Sequence, residues 1–191
     1  MSETTFKFYK NPYIWKFLNR QLILDNPNDI FMEAMGEGDY TFVLCESVPT
    51  NPVDCIDSNT GCLIETLDGL SILDLSDVYT DLDIDMPYFK LKRTYLDNGG
   101  GFTLELDSGD DSSVQIQVGD AQNIYLQGIF LCKREGSETG DKNFVVAYAT
   151  IHSPINIRNF INVPYNGMVL GVGYCGRNLS NTNLDELYYT V

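Results

Sequence analysis

Between residues 102 and 175 apolar and polar side chains take turns, and no other feature limits the fold so strongly. Phe102, Leu104 and Leu106 alternate with Thr103, Glu105 and Asp107. Val114, Ile116 and Val118 alternate with Ser113, Gln115 and Gln117. Successive side chains of an extended chain point to opposite faces, so this period puts the apolar groups on one side of a ribbon. Denser apolar runs follow at Ile124–Cys132, Phe144–Thr150, Ile155–Val163 and Met168–Cys175, separated by Gly, Asn, Asp or Pro. Short strands in this succession predict an all-β, mainly antiparallel domain, closed or sandwiched.

The chain has 191 residues, 43% of them hydrophobic, which is enough for a sizeable core. Its 12 Tyr and 10 Phe suit pleated surfaces. Asp and Glu number 27 against 12 Lys and Arg, a formal net charge of −15. Such a surface repels phosphate backbones and anionic lipid, so neither nucleic acid nor membrane is an expected partner. The charge keeps a tyrosine-rich protein in solution; a basic partner or divalent cations would also suit it. The five cysteines are Cys45, Cys55, Cys62, Cys132 and Cys175. An odd count, with no basic-then-apolar leader at the N-terminus, predicts reduced thiols in a cytosol. Cys45, Cys132 and Cys175 fall in strand-like segments as small buried hydrophobes. Cys55 and Cys62 share a loop and either pair or stand free. A structural zinc site would require scattered thiols to converge, because His152 is the only histidine.

Phe6–Tyr9 reads as a short strand. Asn11 and Pro12 then suit a helix cap and first position, and Ile14, Trp15, Leu18 and Leu22 follow at helical spacing, predicting a helix over 12–22. Ile30–Met35 and Tyr40–Glu46 predict a hairpin. Ser47–Gly61, with Pro49, Asn51, Pro52 and Asn59, reads as a long surface loop. The acidic stretch 63–86 predicts a strand or helical turn near Leu70–Leu75 and an extended edge near Leu82–Met86. Tyr88–Leu96 turns through Asn98–Gly101 into Phe102–Asp107, and Asp107–Asp111 turns that strand into Ser113–Val118. The expected organisation is one sandwich domain over 1–177, elaborated by the loop region 47–86, with a C-terminal tail or arm over 178–191.

No arrangement of residues marks a catalytic centre, and no catalytic residue is assigned. Asp81, Asp83 and Asp85 have the spacing of the first calcium-loop ligands, but Met86 and Lys92 replace the required Gly and closing Glu. Outward carboxylates on an edge strand explain the run better. Asp107, Asp110 and Asp111 share a turn and are the best divalent-cation candidates, although a solvated hairpin accounts for them more simply. No other cofactor is expected. His152 adjoins Ser153, but neighbouring strand residues point to opposite faces and make no nucleophile–base pair. Gly171 and Gly173 lie within a strand pattern with no helix following, which is not a dinucleotide fingerprint.

The segments Tyr125-Leu-Gln-Gly-Ile-Phe-Leu-Cys-Lys133, Val145-Val-Ala-Tyr-Ala149 and Val163-Pro-Tyr-Asn-Gly-Met-Val-Leu-Gly-Val-Gly-Tyr174 carry a resemblance. They resemble virion structural proteins of tailed bacteriophages, small β-sandwich modules that decorate capsids or join head and tail. The likeness is one of strand rhythm over Ile124–Tyr174 and supplies no site motif. It implies a β-sandwich of jelly-roll or related type and a non-enzymatic structural protein, either a capsid decoration or a head/tail junction component. Such a protein is made in the host bacterial cytoplasm, resides in the virion, and acts by oligomeric packing. The implied partners are its own copies and major capsid, tail or portal components. Leu184, Leu187, Tyr188 and Tyr189 in the tail are the candidate interaction residues. The alternative is a carbohydrate- or receptor-binding sandwich, with Tyr and Trp stacking on sugar rings.

Overall fold

The computed structural model describes residues 6–13, 40–87, 90–95, 102–107, 113–135, 142–164 and 170–172. The protein is all-β and mainly antiparallel. Its strands are β1 (Phe8–Lys10), β2 (Tyr40–Ser47), β3 (Ser71–Ile72), β4 (Lys90–Tyr95), β5 (Phe102–Asp107), β6 (Ser113–Glu135), β7 (Lys142–Pro164) and β8 (Leu170–Val172). One sheet has the order β1-β7-β6-β2-β3 and a second the order β4-β5-β8. The described residues contain one α-helix, α1 (Ser76–Leu82), and a 3-10 turn at Pro52–Cys55.

The four runs expected between 113 and 163 are two strands of 23 residues each, joined as one hairpin. Flat strands of that length would reach about 75 Å at ~3.3 Å per residue, several times the usual strand. Four register shifts interrupt the ladder: small ones at Gln117/Gly119 and Leu131/Cys132, and between them two larger, opposed ones. Gly119 faces Asn159 and Ile124 faces Ile157, so residues 120–123 stand against Arg158 alone. Leu126 faces Ile155 and Gly128 faces Thr150, so residues 151–154 stand against Gln127 alone. The surplus on β6 is matched by an equal surplus on β7, and the register beyond the second is the one held at Gly119. Gly119 and Asn159 both take positive φ, +85° and +64°, conformations that Gly adopts freely and Asn more readily than most residues.

These shifts decide which side chains are buried. β6 buries Val114, Ile116, Val118, Ile124 and Leu126 on the core side, then exchanges parity and buries Ile129 and Leu131 there. A displacement of one position moves a side chain to the other face, so Phe130 and Cys132 join a second core behind the sheet. The Ser153-Pro154 and Gly119-Asp120 pairs mark bulges within strands, not the turns between separate strands that their composition suggests.

Asp107–Asp111 does not close a hairpin, which corrects the expectation from sequence. β5 pairs with β4 and β8, whereas β6 pairs with β7 and β2. The segment therefore carries the chain from one sheet to the other. The Asn98–Gly101 connection does join antiparallel partners, with Tyr95 opposite Phe102.

The segment 47–86 does more than the long surface loop expected over Ser47–Gly61. Cys55, Ile56 and Leu63 are buried against Phe130, Cys132 and Val145 on one face of the large sheet. Gly61 and Leu63 add to the edge of β7, the Leu63 N–H donating to Asn143 O (2.8 Å) and the Val145 N–H to Gly61 O (2.9 Å). The chain then returns to the opposite edge, where β3 pairs with β2, and enters α1 on the other face. This excursion clasps both faces of the sheet.

The extended edge expected over Leu82–Met86 does not form: α1 runs up to Leu82, Asp83 caps it, and residues 84–87 have no regular structure. Leu75, Val78, Tyr79 and Leu82 have helical spacing, a signal hidden by the alternating aspartates. Asp74 Oδ1 accepts from the Ser76 N–H (3.0 Å) and its hydroxyl (2.6 Å), holding the carboxyl below its ordinary range. Tyr79 is buried, and its hydroxyl accepts the Gln117 N–H at 3.0 Å, covering a backbone donor of β6. The helix ends at Asp83, whose φ is +52°. The Asp83 N–H donates to Thr80 O and the Ile84 N–H to Tyr79 O, the hydrogen-bond pattern of a cap usually built on Gly.

The expected N-terminal helix over 12–22 lies outside the described residues from Ile14 onward; Pro12 and Tyr13 form a turn. Asn11 is buried, accepts the Tyr13 N–H (2.8 Å), and donates its amide to Val145 O (2.8 Å).

Replacing Asp83 by Gly relieves the left-handed strain and should raise unfolding stability by about 0.5–1 kcal/mol in urea titrations. Tyr79→Phe leaves the Gln117 N–H without its acceptor and should lower stability by about 1 kcal/mol.

Candidate functional site: interaction surfaces

Most residues singled out from the sequence do not converge. Leu184, Leu187, Tyr188, Tyr189, Asp110 and Asp111 lie outside the described residues, and Asp107 ends β5. Asp81 belongs to α1, Asp83 is its cap and Asp85 lies beyond it, so the run is not an edge strand. No cluster of three His, Cys, Asp or Glu side chains with metal-binding geometry occurs among the described residues. His152 and Ser153 are exposed in the β7 bulge.

The thiols do gather. Cys45, Cys55 and Cys132 are packed in the second core with Ile56, Leu63, Phe130 and Val145, while Cys62 is half-buried nearby. All four are free. Burial pushes the Cys45 thiol up to about 12, with Cys55 adding to the shift. Burial likewise pushes Cys55 up to about 11, assisted by Asp54, and holds Cys132 well above its ordinary value. Neutral thiols in an apolar setting are poor nucleophiles and poor metal ligands. They act here as small core side chains.

Two surfaces remain. The first is the outer part of the β6–β7 hairpin. β2 pairs with β6 only from Gly128 to Lys133, and β1 pairs with β7 only from Ala147 to Ala149. Val114, Ile116, Ile161 and Val163 are buried on one face of this ribbon. Tyr125 and Phe160 project from the other and are 53% and 45% exposed. Large aromatic side chains left in water on a strand face offer apolar area to a partner.

The second surface is a groove of about 570 Å³ where α1 crosses the β6–β7 irregularity. Leu73, Leu75, Val78, Leu82, Val118 and Ile124 form its apolar part. Glu46, Asp74, Asp81, Gln117 and Asn159 supply its polar groups, and none of its lining residues is a lysine or arginine. Gly119 belongs to the groove, and a Cβ there would come within 3.3 Å of Val78 Cγ2. Residues from four distant parts of the chain meet here, so no local motif announces it. A neighbouring cleft of about 390 Å³ contains Thr41, whose buried hydroxyl has no hydrogen-bond partner among the described residues.

Comparison with known proteins gave no match to any family model, curated protein or solved structure. No helix of the described residues is long and apolar enough to cross a membrane.

Brief alkylation of the native protein should leave Cys45, Cys55 and Cys132 unmodified in peptide maps and label them after denaturation. Their raised values also set the sign of the alkaline response. Below about pH 9 both states hold neutral thiols; above it the unfolded thiols ionise first, so stability falls as pH rises toward 11–12. Cys45→Ala should reduce that slope in urea titrations run from pH 8 to pH 11.

Proposed function

We propose that the chain is a non-enzymatic assembly protein of the tailed-phage virion type that its sequence resembles, a capsid decoration or head/tail junction component. It works by packing its sheet surface against neighbouring subunits. The observation that carries this reading is the outer β6–β7 ribbon, buried on one face and presenting exposed Tyr125 and Phe160 on the other. A ribbon so arranged gains by covering its second face, because burial of an exposed aromatic contributes about 1.5–3 kcal/mol.

The mechanism needs no catalytic group. Copies associate through apolar area, and the ladder between β6 and β7 fixes the backbone that carries the two aromatics. The thiol core supports the same reading, since unpaired buried cysteines suit a protein assembled in a reducing cytoplasm.

Size-exclusion chromatography with light scattering tests the proposal. The unaltered chain should self-associate at micromolar concentration, and Tyr125→Ser/Phe160→Ser should shift it toward monomer by at least about tenfold in dissociation constant. A chain that stays monomeric with or without these substitutions, or that binds glycans through Tyr125, would count against the packing role.

A further inference from the structure

We propose that the groove between α1 and the β6–β7 irregularity docks a basic amphipathic segment of another protein, with apolar side chains flanked by lysine or arginine. This goes beyond the assembly reading and does not depend on it. It concerns a different surface and specifies the chemistry of what sits there.

Three observations support that occupant. First, the groove combines both chemistries in one place. Leu73, Val78, Leu82, Val118 and Ile124 offer apolar contact, and the carboxylates of Glu46, Asp74 and Asp81 stand beside them. Second, α1 carries acid at its negative end. Asp81 lies in its last turn, which contains no basic residue, and Asp83 caps it. Carboxylates against the carbonyl end of a helix are unfavourable, and an arriving cation offsets both charges. Third, Leu82 and Ile84 flank the helix end with 50% and 48% of their surface in water. Two large aliphatic side chains exposed beside a groove make a natural anchor for an apolar partner residue. A net charge of −15 would speed the approach of such a segment at low salt.

The shape of the groove follows from the bulged ladder. The register break brings Gly119 and Asn159 together, and the absence of a side chain at Gly119 lets Val78 approach β6 closely. The floor of the groove is therefore part of the folded framework.

Fluorescence anisotropy on the full chain tests the proposal with three short labelled peptides, built of leucine and lysine, serine and lysine, or leucine and glutamate. The leucine–lysine peptide should bind, and the other two should bind at least about tenfold more weakly. Leu82→Ser should weaken the leucine–lysine peptide by about tenfold, and Glu46→Gln/Asp81→Asn by about fivefold or more at low salt. The charge-matched control Asp54→Asn/Asp68→Asn, on exposed residues outside the groove, should change binding by less than about twofold. All these substitutions fall on exposed side chains, and matching circular-dichroism melts verify the fold. Equal binding of the serine–lysine peptide, equal loss in the control variant, or no binding at all would overturn the proposal.

Discussion

The structure depends on one constraint: the backbone pairing of β6 with β7. Each strand of this hairpin is the central ladder for everything placed beside it. β2 attaches to β6, β1 and the Gly61–Leu63 segment attach to β7, and both hydrophobic cores are built on the two faces of the pair. A strand face is set by parity, so a register error of one residue would exchange core and solvent along the ladder. The compensated irregularities allow the hairpin to bend while the register at either side is preserved. They also create the groove, because the place where the ladder parts is where α1 can approach.

The segment 47–86 shows how an acidic, proline-containing stretch becomes part of a fold. It supplies a small core on one face through Cys55, Ile56 and Leu63, and a helix on the other through Leu75 and Tyr79. The Asp57 carboxylate organises one of its turns, accepting the backbone N–H groups of Asn59 and Thr60 at 2.7 and 3.0 Å. Those bonds hold the Asp57 carboxyl below its ordinary range. Most of the carboxylates on this segment remain in water, which is how a chain of such negative charge clasps a sheet without burying unpaired acid.

Much of the strand inventory was legible in the sequence. Alternation located β2, β4 and β5, a denser apolar run marked β8, and the Asn-Gly-Gly-Gly turn joined the right pair of strands. Sequence could not distinguish a bulge from a turn, because Gly119-Asp120 and Ser153-Pro154 have the composition of either. Nor could it tell a hairpin from a crossing between sheets at Asp107–Asp111, since partner choice is decided by distant strands. Helix α1 had a readable signal in Leu75, Val78, Tyr79 and Leu82, but the aspartate alternation over 81–85 imitated a strand. The groove had none, as Glu46, Asp74, Val118 and Asn159 meet only after folding. Tail residues Leu184, Leu187, Tyr188 and Tyr189 lie outside the described residues.

The most direct test is the pairing of the hairpin in solution, read from cross-strand backbone NOEs on isotopically labelled protein. Ile124 should lie opposite Ile157 and Leu126 opposite Ile155, with Ile129 opposite Ala149 in the same spectrum. An uninterrupted ladder extended from Ile129 would instead set Ile124 against Pro154 and Leu126 against His152. Finding that register would contradict the parity exchange, the assignment of both cores and the groove built upon them.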